Sequence, residues 1–386
     1  MFKIFAVNPG STSTKIALFE DEALVFSYSV EYDAGELNRY PTISDQLPYR
    51  MKNIREVLER EHVDLTGLSA CVGRCGSVLP VEGGTYEVND LMLEHSRVGI
   101  NGVYHPAQLG GQIAGEFARQ YSCPLYTVTP PEVDEFEPHT RLTGVKGILR
   151  ESHLHALNLK ETAIHHSRIQ GTSYEACNYI VCHIGGGISV SAHRNGRMVD
   201  GNDIAKGLGP IAPTRCGTIP AAYLIEYIFQ KLKERREEND GVEGAASCEN
   251  ESKNEFMKLC TRTGGVVDLL GTSDMKEVYR KAMDGSEKEA LVWNAMVYSI
   301  CKEIGAMAAV LEGQIDGILL SGGLVFNEDL VAQIRRRCGF LAPVYAYPGE
   351  FEMEAMANGV LRVLRGEEQA KVYTGVPVFD ASKSLI

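Results

Sequence analysis

Residues 2–30, FKIFAVNPGSTSTKIALFEDEALVFSYSV, carry the pattern that decides the fold. The stretch predicts three strands separated by a glycine- and hydroxyl-rich turn and a short polar turn, at Phe2–Val7, Ile16–Phe19 and Leu24–Val30. The same order returns at residues 179–200, YIVCHIGGGISVSAHRNGRMVD, where three consecutive glycines form the first turn. Because one pattern occurs twice, about half a chain apart, we infer an internal duplication.

The rest of the chain mixes helical patterns with further strands, which favours an α/β architecture. Helical periodicity predicts seven helices, at Leu47–His62, Leu109–Tyr121, Leu154–Ser167, Ala221–Glu237, Glu289–Glu312, Glu328–Arg337 and Glu352–Leu364. The charge-rich stretch Lys231–Lys253 is interpreted as a solvated helix end that runs into a flexible loop. Residues 367–386 have little periodicity and are expected to form a surface extension.

Length and charge restrict the classes of function. A chain of 386 residues is long enough for two domains. Its 38 Lys and Arg residues against 51 Asp and Glu residues give a net charge of −13, which disfavours non-specific binding to nucleic acid or to an anionic membrane. The ten cysteines form no C-x-x-C pair and are expected to be reduced thiols. No apolar run approaches the roughly 18 residues of a membrane span, and the N-terminus has no apolar leader, so we expect a cytoplasmic protein.

Three glycine-rich turns between strands predict phosphate binding. The chain has no GxxxxGK[ST] motif, no GxGxxG after a strand and no HExxH, so P-loop, dinucleotide-binding and zincin chemistry are not supported. Instead, turns at Asn8–Lys15, His183–Gly187 and Ser321–Gly323 offer backbone N–H groups, hydroxyls and one ammonium to phosphate oxygens. For the first turn alone, a polar hairpin with an incidental lysine is the alternative.

The motifs together resemble those of the acetokinase family, within the superfamily of acetate and sugar kinases, heat-shock ATPases and actin. The resemblance is carried, in order, by residues 7–22, 72–86, 101–110, 153–163, 181–200, 214–220, 270–278, 319–324 and 347–368. It implies two duplicated ribonuclease-H-like (actin-like ATPase) domains with an ATP cleft between them. The N-terminal domain, for the acid and phosphate, would comprise 1–150 and about 352–386, and the nucleotide-binding domain 151–351.

The resemblance also implies a reaction. It is closest to family members that act on butyrate, so we expect reversible phosphoryl transfer between ATP and butyrate, or a branched neighbour, with Mg²⁺ and in a homodimer or larger homo-oligomer. Such a transfer needs positioning and cations around the phosphoryl oxygens. A carboxylate acceptor is already ionised at pH 7, so arginines and neutral donors are expected rather than a strong base.

The matching motifs imply roles for individual residues. The catalytic residues would be Arg74, His155, His183 and Arg215. The acid would contact Arg74, Gly76, Tyr104, His105 and Pro210, with Gly76 leaving room for a longer acyl chain. ATP would contact Asn8, Ser11, Ser13, Lys15, Gly185, Gly186, Gly187, Asp274, Lys276, Gly322, Gly323 and Asn327. Asn8 and Glu352 would lie beside the metal.

One position departs from the family pattern. Thr129 stands where the resemblance implies a metal-side aspartate. Thr129 could coordinate weakly or through water, Asp134 could replace the missing acid, or the activity or substrate could differ. Two alternatives to the kinase therefore stay open: an acid-independent ATPase, and a regulatory homologue with weakened catalysis.

Overall fold

The computed structural model describes residues 1–238 and 245–380. The strands of the described residues form two sheets. In chain order they are β1 Lys3–Pro9, β2 Ser13–Glu20, β3 Ala23–Glu31, β4 Ala70–Gly73, β5 Thr85–Glu87, β6 Leu125–Val128, β7 Asn178–Ile184, β8 Ile188–Arg194, β9 Arg197–Gly201, β10 Gly317–Gly322, β11 Val344–Pro348 and β12 Lys371–Val372. The first sheet has the order β12-β5-β6-β4-β1-β2-β3, and the second has the order β11-β10-β7-β8-β9.

The two sheets contain the predicted duplication. In the first, β1, β2 and β3 form an antiparallel meander, β4 pairs with β1 in parallel, and β6 pairs with β4 in parallel. In the second, β7, β8 and β9 form the same meander, with β10 parallel to β7 and β11 parallel to β10. Five strands of each sheet therefore share one topology, and the three strands predicted in each repeat are confirmed.

The seven predicted helices are all present, with ends within two residues of the prediction. The α-helices of the described residues are α1 Ala34–Leu37, α2 Leu47–Arg60, α3 Asp90–Val98, α4 Gln108–Tyr121, α5 Ala156–Ile169, α6 Ala221–Glu238, α7 Ala245–Thr261, α8 Val266–Leu270, α9 Met275–Met283, α10 Glu287–Val310, α11 Glu328–Cys338 and α12 Glu352–Leu364. Short 3₁₀ turns lie at Ser44–Gln46, Pro138–Arg141, Tyr174–Ala176 and Gly323–Phe326. No helix in the described ranges is both long and apolar enough to cross a bilayer.

Two regional expectations need correction. Helix α7 begins at Ala245, so the second part of the stretch interpreted as a flexible loop is helical, and residues 239–244 lie outside the described residues. The expected C-terminal surface extension contributes β12, which pairs in parallel with β5. Tyr373, which follows β12, is buried, so apolar burial and sheet pairing fix this segment. Residues 381–386 again lie outside the description.

Each sheet is covered by helices on both faces, which is how its apolar strands are kept from water. On the first sheet, α2 and α4 cover one face through residues such as Ile54 and Ile113. Helix α12 covers the other face and packs against β1, β4 and β6, as expected for a segment that returns to the N-terminal sheet. On the second sheet, α10 covers one face and α5 the other.

Helix α10 is a core helix. Its Trp293 is 1% exposed and packs among the apolar residues beside the second sheet. One face of the helix therefore belongs to the core, while Leu291 and Tyr298 on the same helix are exposed. The division of the chain into residues 1–150 with 352–386 and residues 151–351 stays a prediction.

Candidate active site

Arg74 lies at the carboxyl end of the first sheet. It directly follows β4, the strand parallel to β1, and its backbone N–H bonds to the carbonyl oxygen of Val7. One guanidinium nitrogen, Nη1, pairs with Glu352 at the start of α12. Its Nε is buried with no hydrogen-bond partner among the described residues. The arginine is therefore held at one end and retains a free donor.

Glu352 joins Arg74 to the first glycine turn. Its Oε2 accepts a hydrogen bond from Asn8 Nδ2 at 2.6 Å, while Oε1 faces Arg74. Burial opposes ionisation of this carboxyl, but Arg74 and Asn8 outweigh it and lower the pKa of Glu352. A charged carboxylate is therefore fixed between β1, β4 and α12. Of the three glutamates in residues 350–354, Glu352 is the one that contacts both Asn8 and Arg74.

His155 and His183 lie against each other, with ring centroids 4.2 Å apart and ring planes at 31°. His155 precedes α5, and its Nδ1 lies 2.8 Å from Ser189 Oγ on β8. Burial, with Arg74 and Arg215 nearby, lowers the pKa of His183 to about 4 and that of His155 well below its ordinary value. Both imidazoles are therefore neutral at pH 7.

Arg215 lies beneath the second glycine turn. A Cβ atom on Gly187 would overlap Arg215 Nη1, so only glycine leaves room for the guanidinium here. Thr214 ties the arginine loop to the turn, since its N–H and its Oγ1 donate to Gly186 O at 3.2 and 2.9 Å. Nε and Nη1 of Arg215 are buried without a hydrogen-bond partner in the described chain, and burial lowers the pKa of this arginine. A buried cation with unused donors is suited to bind an anion.

The second and third glycine turns are adjacent because β7 and β10 pair in parallel. Gly322 has φ of 99°, and a Cβ atom on it would overlap the Ile184 carbonyl, so glycine is required for this close approach. Asp274 and Asn327 cap α9 and α11: Asp274 Oδ1 accepts from the N–H groups of Lys276 and Glu277, and Asn327 Oδ1 from that of Leu330. Their predicted contacts with adenosine stay predictions.

The first glycine turn is closed by an arginine that the sequence analysis missed. Arg50 on α2 is fully buried and donates to the carbonyl oxygens of Gly10, Ser13 and Ser11 at 2.9, 3.1 and 3.0 Å. Those carbonyls therefore point inward. Ser11 and Lys15 are solvent-exposed at the turn and on β2, where they are accessible to a ligand.

A cavity of about 620 Å³ connects the residues predicted to bind the acid. Arg74, Gly76, His105, His155 and Arg215 all line it. Two predicted wall residues do not: Tyr104 is 67% exposed on a loop, and Pro210 is buried beside the Gly217 turn. The predicted contacts of Tyr104 and Pro210 with the acid therefore have no support from the geometry.

The departure at Thr129 lies outside this cavity. Thr129 follows β6 and lines a separate cavity of about 560 Å³ together with Glu135 and Lys160. Asp134 does reach the acid cavity, but both of its carboxylate oxygens pair with Arg141, at 2.6 and 2.7 Å. Because this pair is buried, moving Asp134 to a metal would leave the arginine uncompensated. The geometry therefore gives no support to the hypothesis that Asp134 replaces the missing acid.

Four further residues of the cavity escaped the sequence analysis. Ser77, Asn101 and Glu132 form a polar group next to Gly76, and His153 lines the same cavity. Burial opposes protonation of His153, but the Asp203 carboxylate at 3.0 Å outweighs it and raises its pKa. The sequence signal was weak, because Glu132 lies in a loop and His153 is only two residues from the more recognisable His155.

The residues near Glu352 fit a hard divalent cation only in part. In the described ranges, no group of three or more His, Cys, Asp and Glu side chains could hold a metal by itself. Asn8 and Glu352 supply oxygen atoms, which are the ligands that Mg²⁺ prefers, and Mg²⁺ usually keeps several waters and takes the rest from phosphates. The site is thus compatible with Mg²⁺ that arrives bound to a nucleotide.

Sequence comparison finds relatives over almost the whole chain. The model of the acetokinase family matches residues 152–341. The chain is 40% identical to "Butyrate kinase 1" of Clostridium acetobutylicum, over 97% of this chain and 100% of that protein. It is 41% identical, over the same shares, to "Probable butyrate kinase 2" of Caldanaerobacter subterraneus subsp. tengcongensis.

Structural comparison supports the same fold at low sequence identity. The acetate kinase of Porphyromonas gingivalis superposes with a TM-score of 0.71 at 18% identity, covering 94% of this chain and all of that one. A propionate kinase of Francisella tularensis subsp. tularensis SCHU S4 gives 0.66 at 17% identity, over 93% and 99%. These likenesses bear out the predicted actin-like ATPase fold. The identities over nearly full length show that the chain belongs to the acetokinase family.

Proposed function

We propose that the protein is a short-chain fatty-acid kinase that transfers the γ-phosphoryl group of ATP to butyrate or a branched neighbour, reversibly. The observation that carries the proposal is that Arg74 and Arg215, each with an unpartnered buried donor, line one cavity with His155, whose neutral ring packs against that of His183. Family membership supports ATP as the phosphoryl donor. The names of relatives that are about 40% identical support butyrate as the acceptor.

The reaction follows from this arrangement. A carboxylate oxygen of the acid attacks the γ-phosphorus, the bond to the bridging oxygen breaks, and ADP leaves with the electron pair. Arg74 and Arg215 would hold the acid carboxylate and the transferring phosphoryl group by charge-assisted hydrogen bonds. Because both arginines are already fixed by Glu352 and by the glycine turn, little reorganisation is needed during transfer.

The histidine pair would bind the phosphoryl oxygens as neutral donors. His183 Nδ1 is buried without a partner among the described residues, and in the tautomer that carries its proton there it can donate a hydrogen bond. Because the imidazole is neutral, it can donate a hydrogen bond to these oxygens without transferring its proton to the acyl phosphate product. Asn8 and Glu352 would hold Mg²⁺ together with phosphate oxygens and water, and the ion would neutralise charge on the phosphates.

The two alternatives to an acid kinase are not favoured. The regulatory homologue rested on Thr129, which does not line the cavity of Arg74 and Arg215. An acid-independent ATPase has no use for two arginines with unused buried donors and a chamber beyond them. A chamber next to the transferring group is, however, what an acid acceptor requires.

Hydroxamate formation from ATP, Mg²⁺ and hydroxylamine tests the proposal. The acids run from acetate to hexanoate and include isobutyrate and isovalerate. Hydroxylamine traps the acyl phosphate that is formed from each acid. We expect the largest kcat/KM at butyrate or a branched neighbour. The proposal would be contradicted if the protein binds ATP but no acid gives hydroxamate or stimulates ADP formation.

We also infer a homodimer in the cytoplasm. Helix α6 carries four exposed apolar side chains, Tyr223, Ile225, Tyr227 and Phe229, and a second copy of the chain would bury them. The nine cysteines that the structure describes are all free, which is ordinary for a reducing compartment. Light scattering coupled to size-exclusion chromatography is expected to give twice the 42.3 kDa chain mass, and Phe229→Glu is expected to lower it.

A further inference from the structure

The acid cavity has a polar corner beside Gly76, the residue predicted to leave room for the acyl chain. We define this corner by Ser77, Asn101 and Glu132, which line the same cavity as Arg74 and Gly76. A saturated acyl chain is bound best by an apolar wall, because it offers nothing to a polar group. The corner therefore does not match a purely hydrocarbon substrate.

Glu132 is fixed by one of its two carboxyl oxygens. Oε1 accepts hydrogen bonds from the Ser77 N–H at 2.6 Å and from Asn101 Nδ2 at 3.3 Å. Ser77 adopts a φ of 64°, which is uncommon for a residue other than glycine. Asn101 Oδ1 in turn accepts from the Val103 N–H at 2.9 Å, so the loop of residues 101–103 is folded against the carboxyl group.

The other oxygen of Glu132 is unused. Oε2 is buried and has no hydrogen-bond partner among the described residues. Burial raises the pKa of Glu132 to about 7, although Ser77, Arg74 and Asn101 partly oppose it. A buried polar atom without a hydrogen-bond partner carries a free-energy penalty, and a ligand that supplies the partner removes this penalty.

We propose that the acid cavity takes a short-chain carboxylic acid with a hydroxyl group remote from its carboxylate, and that Glu132 Oε2 pairs with this hydroxyl. A hydroxyl both donates and accepts, so it pairs with Glu132 whether the carboxyl is protonated or ionised. A second carboxylate on the substrate would be repelled by an ionised Glu132. The methyl end of butyrate would leave Oε2 unpaired. This inference rests on the proposed acid kinase and names its substrate class.

Acid-dependent ADP formation tests the inference with butyrate, 3-hydroxybutyrate and 4-hydroxybutyrate. ADP is the readout because the acyl phosphate of a 4-hydroxy acid can close to a lactone before hydroxylamine traps it. We expect at least one hydroxy acid to exceed butyrate in kcat/KM by about tenfold or more, since a site built to bind a hydroxyl discriminates against the analogue that lacks it.

Variants at Glu132 assign the preference to this residue. Glu132→Leu is expected to remove it and to bring the hydroxy acid to butyrate ratio to about one or below, because leucine cannot pair with the hydroxyl. Glu132→Gln is expected to retain most of it, since the amide also donates and accepts. Glu151→Leu is the matched control, because Glu151 lines the same cavity at an exposed position, pairs with His153 and not with the corner residues, and its loss is expected to leave the ratio unchanged.

Three outcomes separate this inference from the proposed function. If wild-type protein uses butyrate as well as or better than both hydroxy acids, the inference is wrong and the proposed function stands. If Glu132→Leu folds, by its thermal unfolding curve, and keeps the wild-type ratio, Glu132 does not bind the substrate. If no acid in either series stimulates ADP formation, the proposed function itself fails.

Discussion

The two glycine turns occupy equivalent places in the two sheets, yet their arginines differ. In the first turn, Arg50 is fully buried and donates to three turn carbonyls and to Gln46, with its guanidinium over the Tyr32 ring. In the second, Arg215 lies beneath Gly187 with two nitrogens that have no partner in the described chain. One arginine is satisfied by protein and the other is not.

The difference shows that equivalent turns of a duplicated fold can use an arginine in two ways, for stability in one turn and for ligand binding in the other. A cation whose donors all bond to protein stabilises its turn and has nothing left for a ligand. A cation that is held sterically, with unused donors, costs stability and is available for an anion. The contrast predicts that removing Arg215 affects turnover, while removing Arg50 affects folding.

The largest expected effect is that of Arg215→Leu. Loss of its charge from the transferring group is expected to lower kcat/KM for the acid by about 10³-fold, the magnitude typical of such donors. Affinity for ATP, measured by titration calorimetry, is expected to change little. Arg197→Leu, at the exposed first residue of β9, is the matched control and should keep full activity. Equal losses of ATP affinity and turnover would show that Arg215 has a folding role instead.

Arg50→Met is expected to lower the free energy of unfolding by about 3 kcal/mol, because the turn carbonyls lose a charged donor. Urea unfolding followed by circular dichroism measures this. Arg55→Met on the same helix is the control, since Arg55 is exposed and its contacts are a hydrogen bond to Gln120 and the edge of the core at the Phe117 ring. A variant as stable as wild type, with lowered turnover, would reverse the roles assigned to the two arginines.

Gly187→Ala tests whether the glycine turn positions Arg215. The added Cβ would overlap the guanidinium, so kcat/KM is expected to fall by about 10²-fold, as when one stabilising donor is lost. At Gly186 a Cβ would meet no atom within 4 Å, so Gly186→Ala is expected to lower kcat/KM much less. Equal losses in the two alanine variants would contradict the steric argument. A thermal unfolding curve for each variant excludes global unfolding.

The two turns also differ in their response to acid, because only the second contains a buried histidine. Burial holds the pKa of His183 at about 4 in the folded protein, below the 6.5 of an exposed histidine. The unfolded chain therefore binds a proton first, and folding stability is lost as pH falls from 6.5 towards 4. At pH 5 His183 alone is expected to account for about 2 kcal/mol of that loss. His183→Gln is expected to flatten the dependence of urea stability on pH in this window, and an unchanged slope would contradict the assignment.

Much of this comparison could be predicted from the sequence, because it depends on local patterns. Alternating strands and glycine turns predicted both meanders, and the residues around Arg74 and Arg215 were recognisable by motif. Arg50 was not, since it lies in an ordinary amphipathic helix and reaches the first turn only through tertiary packing. Glu132 was missed for the same reason: its partners Ser77 and Asn101 are 55 and 31 residues away in the chain.

The C-terminal segment shows a further limit of sequence patterns. Lys371–Val372 is too short to give a periodic signal, and it becomes a strand only because β5 offers an edge to pair with. Tyr104 and Pro210 were chosen as acid contacts because they lie next to recognisable motifs. Adjacency in sequence does not fix the direction of a loop, and neither residue lines the cavity.

The smallest expected effect comes from a change in the size of the acid cavity that leaves the reacting groups in place. A Cβ atom on Gly76 would lie 3.1 Å from the Ala107 Cβ, so a valine would narrow the wall of the acyl site. Excluding two methylenes at about 0.8 kcal/mol each is expected to lower the butyrate-to-acetate ratio of kcat/KM about tenfold in Gly76→Val. Gly76→Ala should give an intermediate ratio, and kinetics with both acids measure it. Because neither substitution moves Arg215, acetate turnover should persist, and a ratio that does not change would show that the acyl chain lies elsewhere.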